Sequence, residues 1–116
     1  MKKTDIILNG MEFDSEMIFE LEKAQAARSA ENEGMARVCA RRAAGKAARD
    51  FLTHYGIRSR RDSAYDSLRK LMAFPGLSPE LKQAATYLTL RVNIEFGLPD
   101  NIDLISEARK LIGGLS

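Results

Sequence analysis

Tryptophan is absent from this chain, and cysteine and histidine occur once each, as Cys39 and His54. A single cysteine has no partner for an intramolecular disulfide, so packing must hold the fold and a reducing compartment is expected. One cysteine and one histidine, with no carboxylate cluster at ligand spacing, offer no donor set for zinc. A glycine-rich phosphate loop of the Walker or dinucleotide type is also missing, so no metal and no cofactor are expected. No segment approaches the roughly 18 apolar residues that span a bilayer. After Lys2 and Lys3 the N-terminus offers only Ile6, Ile7 and Leu8, short of the apolar stretch of a secretory signal. The expectation is therefore a cytoplasmic protein with no membrane association. Aromatics make up 7% of the residues, too few beside the arginines for the base-stacking surfaces of single-strand binders.

What remains is a chain of 116 residues, 45% hydrophobic and 29% charged, of a size that forms one domain and buries about two-thirds of its surface. Apolar residues recur at helical spacing, with no strand pattern, internal repeat or low-complexity segment. This predicts an all-α, up-and-down bundle of four to five helices. Residues 1–12 read as an N-terminal arm and 13–113 as the single helical domain.

The longest helix is expected within Gly34 to Gly56, GMARVCARRAAGKAARDFLTHYG, begun by Asn32 as N-cap and stopped by Gly56 in the left-handed position. Ala36, Ala40, Ala43, Ala44, Ala47, Ala48, Phe51, Leu52 and Tyr55 share one broad face, on which alanine lets another helix come close. Gly45 costs about 1 kcal/mol relative to alanine in mid-helix, and marks either a close backbone approach or mere tolerance. Arg42, Lys46 and Arg49 form an outward ridge. Arg37 and Arg41 lie at the edge of the small-residue face, where a guanidinium wants a carboxylate or an anion, with Glu16 and Glu20 as candidate partners.

Before this helix, another is expected from Asp14 as N-cap, with Phe13 and Ile18 as a hydrophobic staple and Met17, Leu21 and Ala24 inward. After it, a basic loop holding Arg58, Arg60 and Arg61 leads to a short helix capped by Asp62 and running through Ala64, Leu68, Leu71 and Met72. Ser78-Pro79-Glu80 starts a fourth helix. There Leu81, Ala85, Leu88 and Val92 form one stripe, and Tyr87, Leu90 and Ile94 a second, nearly opposite. A helix apolar on two sides is central or shared with a partner chain, which makes Tyr87, Leu90 and Ile94 the candidate homodimer interface. Gly97 and Pro99 read as its stop, Asp100 or Asn101 as cap of the last helix, and Gly113-Gly114 as the end.

The net charge of +2 conceals an uneven distribution: residues 1–33 sum to −4, 34–70 to +7 and 71–116 to −1. Such a basic segment faces either phosphate, of a nucleotide or of RNA, or the acidic first segment within the fold. The candidate binding residues are Arg37, Arg41, Arg42, Lys46 and Arg49.

Several stretches resemble the HEPN family of higher-eukaryote and prokaryote nucleotide-binding helical bundles. Ala43-Ala44-Gly45-Lys46-Ala47-Ala48 is similar to the family's A-A-E-K-A-L run, with Gly45 in place of glutamate. Leu68 to Leu71, Leu81, Ala84-Ala85, Leu88 and Leu98-Pro99-Asp100 resemble its third-helix segment and R-Y-P-D turn, with Gly97-Leu98 where Arg-Tyr would stand. Ile105 to Ile112 resembles its last helix. The resemblance implies a non-catalytic helical module that binds a nucleotide, RNA or a partner protein, as a homodimer. It also implies a minimal nucleotidyltransferase as partner, since HEPN proteins are often paired with one.

Many HEPN proteins are instead metal-independent ribonucleases with an R-polar-x3-H signature, and Arg49-Asp50-Phe51-Leu52-Thr53-His54 fits that spelling. In this alternative His54 takes a proton from a 2′-hydroxyl and Arg49 stabilises the phosphate charge. On an uninterrupted helix, however, the two point about 140° apart. A third reading is a purely structural bundle whose arginines are internal ion-pair partners.

Overall fold

The computed structural model describes residues 5–8, 11–58, 61–90 and 102–115. It is an all-α bundle of five helices, preceded by a short antiparallel hairpin of β1 (Asp5–Leu8) and β2 (Met11–Asp14), with Ile6 opposite Phe13. The hairpin stands where the sequence pattern suggests only an arm: four residues per strand are too few to display an alternation that period-two reading can detect. The side chain of Phe13, and with it the staple, lies outside the described residues.

Helix α1 (Ser15–Ser29) and α2 (Glu33–His54) are antiparallel, joined by a turn whose geometry the sequence conceals. Glu31 takes a left-handed φ of 61°. Its N–H bonds Arg28 O at 2.9 Å and the Asn32 N–H bonds Ala27 O at 2.8 Å, the paired bonds of a Schellman ending without the usual glycine. Asn32 then caps α2, its side chain accepting from the Met35 N–H at 3.1 Å. At the far end Gly56 has φ 79°, and the Gly56 and Ile57 amides return to Thr53 and Leu52 O, as its sequence implies.

Helix α3 (Ala64–Met72) begins at Ser63 rather than at Asp62. Ser63 and Asp66 form a reciprocal capping box, a spacing that satisfies two backbone donors where Asp62 could satisfy one. Ala64 meets Gly45 at the start of α3, while Phe74 beyond its end packs on Phe51 and Tyr55 with ring centroids 5.0 and 5.1 Å apart. Helix α3 therefore follows the second half of α2 in the same direction. A Cβ placed on Gly45 would overlap both the side chain and the backbone of Ala64, so close approach, not tolerance, explains this glycine.

Helix α4 (Pro79–Thr89) starts at Ser78 and Pro79 as expected but stops well before Gly97, with Leu90 already extended. Val92 and Ile94 lie outside the described residues, as do Asp100 and Asn101. The described cap of α5 (Leu104–Leu115) is Asp103, whose Oδ1 accepts from Ile105 and Ser106 N–H at 3.0 and 3.3 Å. The helix continues through Gly113 and Gly114, the latter fitting closely against Leu81 of α4. Small side chains line the centre: Ala36, Ala40, Ala43, Ala44 and Ala48 of α2 are fully buried against Leu68, Leu71, Leu88 and Leu111. Each of those leucines contributes about 1.5–3 kcal/mol by leaving water.

Candidate functional site

The basic residues of α2 separate into two groups. Arg37 and Arg41 serve the bundle itself. Arg37 lies 3.9 Å from Glu33, one turn earlier on the same helix. Arg41 is half-buried and donates from Nε to Leu88 O at 2.6 Å and from Nη2 to Leu90 O at 3.3 Å. These carbonyls end α4, so Arg41 closes that helix, with its charge at the negative end of the helix dipole. Burial, with the neighbouring charge of Arg37, lowers the Arg41 pKa from its ordinary value. Neither arginine reaches Glu16 or Glu20 by a contact seen here; those carboxylates serve lysines.

Arg42, Lys46 and Arg49 meet at a cleft of about 230 Å³ between three elements. Helix α1 contributes Glu16 and Glu20, and the start of α3 contributes Asp62, Ala64 and Ser67. The local fold produces this arrangement directly. Positions 42, 46 and 49 share the outward stripe of α2, and Gly45 beside them lets α3 come close enough to form the opposite wall. Lys46, whose side chain is only 10% exposed, pairs with Glu16 at 3.2 Å. Glu20 pairs with Lys23 at 3.3 Å and Asp62 with Lys70 at 2.6 Å. Each of the three carboxylates thus has a lysine, while Arg42 stands exposed with no ion pair among the described residues. The lining itself holds three cations and three carboxylates, with Lys23 and Lys70 reaching two of the carboxylates from outside it. Ser67 is 1% exposed and lines the cleft.

His54 does not join this site. It is exposed at the last residue of α2, edge-on to Tyr55 with ring centroids 5.2 Å apart, whereas Arg49 lines the cleft. Of the expected dimer residues, Tyr87 is half-buried against the core, its hydroxyl accepting from Gln83 Nε2 at 2.9 Å, and Leu90 is exposed. Ile94 lies outside the described residues. Cys39 is buried, and no group of metal-ligating side chains occurs among the described residues. Among them, too, no helix is long and apolar enough to cross a membrane.

Two features of the site escaped sequence reading. Glu16 and Glu20, expected as partners of Arg37 and Arg41, lie instead in the cleft of Arg42, Lys46 and Arg49, and Asp62, read only as a helix cap, joins them there. Ser67, placed by the capping box one turn into α3, gave no signal at all. Compared with known protein families, with curated proteins and with solved structures, the chain matches none.

Proposed function

We propose that this bundle is a non-catalytic, HEPN-like binding module that takes the phosphate of a nucleotide, an RNA or a related ligand in the cleft of Arg42, Lys46 and Arg49. The observation that carries this reading is the meeting of Arg42, Lys46 and Arg49 at one concave site, with Arg42 exposed and in no ion pair among the described residues. An exposed, planar guanidinium beside two further basic side chains suits the oxygens of a phosphate group. Arg37 and Arg41 drop out of the binding set because their charges act within the bundle.

The test is a thermal-shift titration with inorganic phosphate and pyrophosphate at low and moderate salt. A ligand at a hundred times its dissociation constant stabilises by about 2.7 kcal/mol. Wild type and Arg41→Ala should both shift, less so as salt rises, and Arg42→Ala should not. No shift in wild type with either anion removes the reading. A homodimer through Leu90 belongs to the same proposal, and a monomer by light scattering at high micromolar concentration removes that part. The ribonuclease alternative gains no support, since Arg49 and His54 sit on different faces of α2. RNA cleavage in EDTA, abolished by His54→Ala, is the result that would restore it.

A further inference from the structure

We infer that a single-stranded nucleic acid binds with one phosphate in the cleft and a nearby base stacked on Tyr55, in the ring cluster at the C-terminal end of α2. The inference rests on the phosphate reading above and adds the surface that meets the bases.

Three observations carry it. The first is the ring cluster. Aromatic residues are sparse along the chain, five phenylalanines and three tyrosines, but the fold gathers three of these eight at one place. The ring centroids of Phe51, Tyr55 and Phe74 lie 4.9, 5.0 and 5.1 Å apart, and His54 stands edge-on to Tyr55 at 5.2 Å. Phe51 and Phe74 are half-buried whereas Tyr55 is 57% exposed, so two anchored rings hold a third that is open to solvent. A held, accessible ring is a stacking surface, and every base has a face to lay on it.

The second is charge. Residues 51–61 contain Arg58, Arg60 and Arg61 and no carboxylate. The chain leaves the rings at Gly56 and reaches the cleft at Asp62, and the exposed Arg58 and Arg61 lie on that connection. Lys70 of α3 donates to Arg58 O at 2.9 Å, which ties the start of the connection to α3. Asp50, exposed on the last turns of α2, lies about 140° around the helix from Tyr55. A phosphate backbone passing from cleft to rings therefore meets arginines on its way.

The third is extent. Tyr55 and Ile57 are the large apolar side chains exposed at this end among the described residues. A stable protein interface takes about 20–30 residues a side, whereas one base needs one ring. Tyr55 also lies about 9 Å along and about 120° around α2 from Arg49, a separation that successive nucleotides of a strand bridge.

Fluorescence anisotropy with labelled oligothymidylate of about ten nucleotides, and with an abasic strand of the same length, separates base contacts from phosphate contacts. The abasic strand should bind and weaken as salt rises. Oligothymidylate should bind about tenfold more tightly. Tyr55→Leu, which keeps an apolar side chain against Phe51 and Phe74 but removes the ring, should bring oligothymidylate to the level of the abasic strand and leave the latter unchanged; Tyr55→Phe should retain the difference. Equal affinity of the two strands for wild type overturns the base platform, leaves the phosphate reading standing and returns the rings to packing or to a protein contact. A preference for oligothymidylate that survives Tyr55→Leu, or thymidine monophosphate competing as strongly as the strand, overturns it too. Failure of both strands to bind overturns both readings. Each variant is first melted to show that it folds, and the two strands on wild type test the inference without either.

Discussion

Gly45 and Glu31 show how a single backbone position overrides the general preference of its residue type. Alanine at 45 would gain about 1 kcal/mol of helix propensity, yet its Cβ would overlap Ala64 including backbone, which cannot swing aside as a side-chain tip can. Overpacking of this kind costs about 1–3 kcal/mol, so Gly45→Ala should lower the melting temperature. Because the same contact builds the wall of the cleft, phosphate affinity should fall with it. A variant as stable as wild type would mean that α3 does not approach there. Glu31 is the opposite case: its φ of 61° suits glycine, and Glu31→Gly should stabilise by about 1 kcal/mol, read as a higher midpoint in chemical denaturation.

At the scale of the element, local signals were legible and remote ones were not. Asn32, Gly56, Ser78 and Pro79 mark the ends of α2 and α4 because a cap acts within one turn of its own residue. The alanine face of α2 followed from periodicity alone. Asp62 against Ser63 was a choice between adjacent caps, decided by the partner three residues further on. Arg41, by contrast, closes a helix 47 residues away in sequence, which no local pattern encodes. The cleft was half legible for the same reason: its cations share one helix stripe, while its carboxylates and Ser67 arrive from α1 and the start of α3. Removing Arg41 leaves the Leu88 carbonyl without its charged donor, and such bonds contribute about 1.5–3 kcal/mol. Arg41→Ala should therefore destabilise the bundle and speed amide exchange in the last turn of α4. Unchanged exchange there would show that water replaces the guanidinium without loss.

For the molecule as a whole, one arginine joins the first turn of α2 to the start of α5. Arg28, from the last turn of α1, bonds Glu33 at 2.8 and 3.1 Å and Asp103 at 2.9 Å. The hydrogen bond from Arg28 holds the Glu33 pKa below its ordinary value. Burial pushes Asp103 upward, but Arg28 and the Ser106 and Ile105 amides together lower it. A carboxylate whose pKa is lower in the folded than in the unfolded state adds stability above its unfolded pKa, near 4, and that stability disappears as pH falls through the folded value. Wild type should accordingly lose stability on acidification from about pH 5 downward. The three side chains are between 30% and 46% exposed, so solvent and salt reduce the gain. Arg28→Gln should destabilise at neutral pH by about 1 kcal/mol, and the gap between variant and wild type should close as the pH approaches 2, where both carboxyls are protonated. A gap that stays constant from pH 7 to that limit would mean that Arg28 stabilises by packing its stem between α1 and α5, with its charge making no difference.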